Sequence, residues 1–138
     1  MPQRDLFHAS VRSALVKDGW TITHDPLVLP YGTHRLYVDL GAEQVLAAER
    51  GADRIAVEVK SFVGRSEVAD LEQAVGQFML YRSILKRREP ARQLVLAVSV
   101  DVFDTLMDSD LGRIVRDDYA VSLLVFDPDR EEVTRWLR

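Results

Sequence analysis

Cysteine is absent from the 138 residues. That excludes a disulfide scaffold, a thiolate metal site and a cysteine nucleophile. No run approaches the roughly 18 apolar residues of a membrane-spanning helix, so no membrane contact is expected. The opening Met1-Pro2-Gln3-Arg4-Asp5 is charged and lacks the apolar stretch of a signal peptide. The expectation is a soluble, cytoplasmic protein. There is no Gly-rich phosphate loop and no Ser/His/Asp order that suggests a hydrolase. Repeats, low-complexity segments and linkers are missing too, so a single domain over 1–138 is expected. Positive charge is not in excess either. Lys and Arg number 18 against 22 Asp and Glu, a net charge of −4. This argues against binding nucleic acid through bulk charge, but allows a local basic groove beside an acidic metal site. What is present is ordinary globular composition, 47% hydrophobic and 29% charged, enough to bury a core without staples.

The periodicities give an order of elements. Asp5 to Lys17 has Phe7, Val11, Ala14 and Leu15 at helical spacing, stopped by Asp18-Gly19. Trp20 to His24 alternates as a short strand closed by Asp25-Pro26. Leu27 to His34 reads as a loop or edge piece because Pro30 and Gly32 interrupt it. Leu36 to Asp39 opens a second strand, continued by Gln44 to Ala48, and Arg50-Gly51-Ala52-Asp53 suits a hairpin turn. Arg54 to Lys60 is the next strand. Ser66 caps a helix with Glu67 and Asp70 in its first turn, which runs to about Arg88 ahead of Pro90. Gln93 to Val100 is apolar throughout and reads as a strand buried on both faces. Asp104 to Val115 is helical, in two pieces around Gly112; Val121 to Phe126 is a strong strand and Val133 to Leu137 a weak terminal strand or turn. Hairpin-joined strands followed by a helical crossover imply an α/β protein with a mixed sheet, that is, an α+β mixed sheet with helices packed on it.

Three residues point to chemistry. Glu58 and Lys60 lie two apart on a predicted strand, so both leave one face, while Ile55, Val57 and Val59 leave the other. Alone, this pair reads as a surface ion pair worth under about 1 kcal/mol. Asp39 changes that reading, because its strand is expected to pair with the Glu58 strand and bring the two carboxylates together. Two carboxylates plus a backbone carbonyl suit a hard cation such as Mg²⁺ or Mn²⁺. Lys60 would orient or deprotonate a metal-bound water, and the cation would polarise a phosphoryl oxygen. That combination suits phosphodiester hydrolysis.

Asp39 followed by Glu58-Val59-Lys60 resembles the PD-(D/E)XK nuclease signature, with Val38 standing where the name has proline. The helix-strand-strand-strand-helix-strand order resembles that superfamily's restriction-endonuclease-like αβββαβ core, with additional C-terminal elements. Gln77 and Tyr81 resemble the Gln-x-x-x-Tyr motif of its RecB-like branch, and share a helix face with Gln73 one turn earlier. Many members carry an acid on the first helix; Asp5 is the nearest match here, with His8 one turn on. The resemblance implies a site of Asp39, Glu58, Lys60 and Gln77 with a metal on Asp39 and Glu58. Gln73, Tyr81, Asp5 and His8 are secondary candidates.

The likeness narrows over Asp18-Gly19-Trp20-Thr21-Ile22-Thr23-His24-Asp25-Pro26, Val38-Asp39-Leu40-Gly41-Ala42-Glu43, Ile55 to Phe62 and Leu124-Val125-Phe126-Asp127-Pro128. These runs resemble the XisH family, the fdxN element excision controlling factors of cyanobacteria. The resemblance implies control of a site-specific DNA excision, with XisI as a companion protein. It leaves two functions open: a metal-dependent endonuclease-like protein, or a catalytically silent control factor that binds DNA or a partner.

Weaker signals complete the list. Arg82, Lys86, Arg87 and Arg88 close the long helix and are candidate DNA contacts, or cations at the negative pole of the helix. Cutting both strands of a duplex is easiest for a two-fold dimer, so a homodimer is expected. Part of the set Phe103, Leu106, Met107, Leu111, Ile114, Trp136 and Leu137 is expected to form its surface, or that for XisI.

Overall fold

The structure, a computed structural model, describes residues 6–45 and 52–138. Its elements follow the chain as α1 (His8–Lys17), β1 (Thr21–His24), β2 (Leu27–Tyr31), β3 (His34–Val38), β4 (Leu40–Val45), β5 (Ala52–Val59), α2 (Glu67–Arg88), β6 (Arg92–Ser99), a short α3 (Val100–Val102) running into a π-helical turn (Phe103–Met107), α4 (Asp110–Asp117), β7 (Leu123–Asp127) and β8 (Glu132–Leu137). Six strands form one mixed sheet in the order β1-β4-β5-β6-β7-β8, and β2 and β3 form a separate ribbon. Hairpin strands pair antiparallel, β4 with β5 and β7 with β8, whereas β5-β6 and β6-β7 are parallel across helical crossovers. This follows from connection length, since only a crossover returns a chain parallel to itself.

The sheet divides the core in two. On one face Val11, Leu15 and Trp20 pack with Ile55, Val57, Val59, Val95, Ala97, Leu124 and Phe126. On the other, Leu71, Phe78, Tyr81 and Leu85 of α2 pack with Ala56, Leu94, Leu96, Val98 and the β2–β3 ribbon. The alternation along β5 and β6 therefore serves two apolar layers, as a sheet covered on both faces requires. Among the described residues, no helix is long and apolar enough to cross a membrane.

α2 forms where local signals place it. Ser66 Oγ accepts the Ala69 N–H at 3.2 Å, and the helix stops two residues before Pro90. Its buried stripe is Leu71, Ala74, Phe78, Tyr81, Ile84 and Leu85, while Val68 and Met79 are exposed. Elsewhere the expected elements shift. Leu27 to His34 is no loop: β2 and β3 pair from Leu27–Val38 to Tyr31–His34. Pro30 is accommodated because β2 has β3 as its one partner and so remains an edge strand. Leu36 to Val38 accordingly pair with β2, Asp39 falls in the bend that follows, and β4 lies against β5 instead. The expected continuation to Ala48 and the turn at Arg50 fall partly outside the described residues. The break in the expected 104–115 helix lies at Asp108–Ser109, not Gly112, because Ser109 Oγ caps α4 by accepting the Gly112 N–H at 3.3 Å.

Phe103, Leu106 and Met107 are core residues. Trp136 stacks at 5.5 Å on Trp20, so of the expected interaction surface Leu111 and Ile114 alone are well exposed. Both indoles donate to one carboxylate oxygen, Asp18 Oδ2, at 3.3 Å from Trp20 and 3.2 Å from Trp136. That oxygen ties the end of α1 to β8. Asp18→Ala is expected to cost about 1–2 kcal/mol and shift the tryptophan fluorescence, read in a urea titration.

Candidate functional site

Asp39 occupies the single residue between β3 and β4, where the chain leaves the ribbon and enters the main sheet. Its carboxylate reaches across to the end of β5. Oδ2 accepts the Val59 N–H at 2.7 Å, while the Asp39 N–H donates to Glu58 Oε1 at 3.3 Å. The β3–β4 bend and the end of β5 are thus tied by two backbone-to-carboxylate bonds, one donated from each segment. Asp39 and Glu58 do converge, but through the β3–β4 bend rather than through a strand that carries Asp39 alongside β5.

Glu58 is buried, only 4% exposed. It does not face water, as a surface ion pair would require. Burial in the α2-side layer pushes its pKa up to about 9, with the Asp39 charge and a carboxyl–carboxyl hydrogen bond to Asp39 adding to the rise; the Lys60 charge offsets part of it. Near neutral pH Glu58 therefore holds its proton beside Asp39. A cation bound at this point would have to compete with that proton.

α2 covers the pair from above. Tyr81 is buried, and its hydroxyl is held neutral, first by desolvation and further by the Glu58 and Asp39 charges. Gln77 Nε2 donates to the Tyr81 hydroxyl at 3.0 Å, and Gln77 Oε1 is buried without a hydrogen-bond partner. Lys60 sits half-buried where β5 ends. It lines a cavity of ≈ 160 Å³ together with Ser61, Phe62, Asp70 and Gln73. Phe62 takes a left-handed backbone (φ 57°) to turn the chain from β5 toward α2. Gln73 is thus placed near Lys60, while Gln77 and Tyr81 belong with the carboxylates.

His8, in the first turn of α1, is 4% exposed and approaches from the other side. Its Nδ1 lies 4.0 Å from Asp39 Oδ1 and its Nε2 2.7 Å from Asp25 Oδ1. Arg12 also binds Asp25. Asp25 and Arg12 escape the sequence reading, which treats Asp25-Pro26 as punctuation. The available signal is the four-residue spacing of His8 and Arg12, which puts both on one helix face. Asp5 lies outside the described residues.

The basic candidates go elsewhere. Arg82 donates to the carbonyls of Tyr119 and Ala120, both at 3.0 Å, and Arg87 Nη1 donates to the Ser83 carbonyl. Arg82 and Lys86 line a cavity with Pro90, Arg92 and Ser122, far along α2 from Gln77. The structure does not bring these cations to the carboxylates.

Among the described residues no group of three or more His, Cys, Asp or Glu is arranged to hold a metal. Two carboxylates with completing waters are nevertheless a normal donor set for Mg²⁺, which keeps much of its hydration. The residues present fit such an ion on Asp39 and Glu58.

The fold and site together define a mixed-sheet α/β domain with a buried acidic pair at the end of a central strand. The XisH protein family matches residues 1–134, and the chain belongs to that family. An XisH family protein from Nostoc punctiforme shares 38% identity over 97% of this chain and 100% of its own, with a TM-score of 0.87. A fdxN element excision controlling factor protein from Anabaena variabilis shares 38% over 98% and 100%, also at 0.87. No curated protein matches.

Proposed function

We propose that this chain is a control factor for the excision of a DNA element, acting by binding DNA or a partner protein through a nuclease-like domain. The observation that carries this reading is the full-length likeness to the Anabaena variabilis excision controlling factor. The nuclease-like part rests on connectivity and on the site. With the β2–β3 ribbon taken as an insertion, the elements α1, β1, β4, β5, α2 and β6 follow the αβββαβ order of the PD-(D/E)XK superfamily. Asp39, Glu58 and Lys60 then occupy the signature positions, with Gln77 and Tyr81 above them.

A second reading, phosphodiester cleavage, is favoured by one specific feature, the buried Glu58 carboxyl held beside Asp39. In that reading the pair would hold Mg²⁺ or Mn²⁺, which would supply Lewis-acid polarisation of a phosphoryl oxygen. Lys60 would orient the attacking water, and Gln77 fixes Tyr81 over the site. His8, held by Asp25, buttresses Asp39.

Calorimetric titration with Mn²⁺ and a labelled-duplex cleavage assay separate the two readings. Metal binding and cutting that vanish in Asp39→Ala, with cutting alone lost in Lys60→Ala, would establish cleavage. Duplex binding without cutting, equal in wild type and Lys60→Ala, would leave the control-factor reading. Absence of duplex binding, with capture of an XisI-type companion, would narrow it to partner binding. Assembly belongs to the same proposal. Leu111 and Ile114 on α4 are the residues carried forward for a homodimer or companion surface, and a 15.7 kDa particle in light scattering would remove the homodimer.

A further inference from the structure

Among the described residues, four buried side-chain nitrogens or oxygens lack a hydrogen-bond partner, and they fall in two places. His8 Nδ1 and Gln77 Oε1 belong to the carboxylate side described above. Arg92 Nε and Arg116 Nε belong to the opposite end of the sheet. Two cavities lie there, of ≈ 380 and ≈ 370 Å³, and they share Ala120 and Ser122 as a common wall. Together they make an elongated trough. Arg82, Lys86 and Arg92 line its first half, and Glu89, outside the lining, pairs with Arg92. Arg116 and Arg138 line the second half with Asp117.

These cations are held by the protein. Arg92 is 8% exposed; its Nη1 donates to the Ile55 carbonyl at 2.8 Å, and Glu89 stands 3.5 Å from its Nε as an ion pair without hydrogen-bond geometry. Arg82 is fixed by carbonyls rather than by a carboxylate. Arg138 is engaged by Asp53, and Arg116 lies 3.6 Å from Asp108. Lys86 has no ion pair among the described residues and stands in the last turn of α2, where the helix pole is negative. Arg82 and Lys86 therefore have no carboxylate partner among the described residues, beside a guanidinium whose Nε–H makes no hydrogen bond. Guanidinium edges match oxyanions with two acceptor oxygens.

We propose that this trough is a second binding site, for the phosphodiester backbone of DNA. It rests on the DNA-binding arm of the proposed function and adds where the backbone lies. A trough two cavities long suits a regular polyanion better than a single small anion. Lys60 N–H donates to the Ala97 carbonyl, so the carboxylate end and the trough are separated by the run of β6 from Arg92 to Ala97. That run is about 16 Å at 3.3 Å per residue. One strand of a duplex covers it in about five nucleotides, at 3.4 Å each.

The test is fluorescence polarisation of a short labelled duplex, in EDTA, over a series of NaCl concentrations. Wild type is compared with Lys86→Glu, Arg82→Gln and, as a control outside the trough, Arg113→Glu. Lys86→Glu is expected to weaken binding several-fold and to lower the slope of log affinity against log salt by about one. Arg82→Gln is expected to act in the same direction, and Arg113→Glu to stay near wild type. Wild-type affinity and slope in both trough variants would overturn the inference while leaving the control-factor reading intact. Equal losses in Arg113→Glu would reduce the effect to net charge and overturn it too. Poly-glutamate that displaces the duplex at equal charge, with the same dependence on Lys86, would assign the trough to an acidic polypeptide instead. A wild type that binds no duplex would remove both this site and the DNA arm of the function.

Discussion

Glu58→Gln is expected to match wild-type stability near pH 5 and to exceed it by several kcal/mol near pH 9, in protein free of divalent metal. The folded pKa of Glu58 is raised to about 9 from an ordinary 4.5, chiefly by burial. Between those values the folded protein holds a proton that the unfolded chain has lost. Stability from this group is therefore fully present below about pH 4.5, falls as pH rises, and is gone above about 9. At about 1.36 kcal/mol per pH unit the upper bound on the change is about 6 kcal/mol. Glutamine carries no charge at any of these values, and its amide can donate to Asp39 while its carbonyl accepts the Asp39 N–H. Urea unfolding of both proteins from pH 5 to 9 measures the difference. Parallel stability curves would show that Glu58 titrates normally and that its raised pKa is wrong. The same variant is expected to lose Mn²⁺ affinity if the pair holds a cation, so stability would be gained where binding is lost.

Two glycines in helices are expected to respond to alanine with opposite signs. A Cβ on Gly112 would meet the backbone carbonyl oxygens of Leu106 and Met107 well inside contact distance, because α4 folds directly against the π-helical turn. Backbone atoms cannot rotate away, so the helix itself must shift. Gly112→Ala is expected to cost about 3 kcal/mol, the upper part of the overpacking range. Gly76 lies exposed in the middle of α2, and nothing stands within 4 Å of an added Cβ. Gly76→Ala is expected to stabilise by about 0.5–1 kcal/mol through helix propensity. Thermal melts of the two variants read the signs directly. A neutral Gly112→Ala would mean that α4 and the turn are not packed as described.

Where the candidate site was legible, it was legible through local pattern. Glu58 and Lys60 two apart, Gln77 and Tyr81 four apart, and the capped start of α2 each depend on a few neighbouring residues. Periodicity and capping act over that range, and these placements agree with the structure. Breakers misled where tertiary context overrode them. Pro30 and Gly32 left a loop and an edge piece both open, and tertiary pairing decided for the edge: Pro30 fits an edge strand and Gly32, at φ 61°, makes the turn of the β2–β3 ribbon. Gly112 read as a helix break, yet its role is to let two backbones approach. His8 and Asp25 are 17 residues apart, and no local rule joins them.

Taken alone, then, the sequence determined the inventory: which segments are helix or strand, which residues carry acid, base and amide, and that a carboxylate pair with a lysine was available. Only the tertiary structure decided how they combine. It placed Asp39 at a bend between two sheets, buried Glu58 under α2, and turned Arg82 and Lys86 into a cavity with Pro90, Arg92 and Ser122. The reason is that propensity is a property of neighbours in the chain, whereas burial, strand partners and the dielectric around a carboxylate arise from contacts between distant segments.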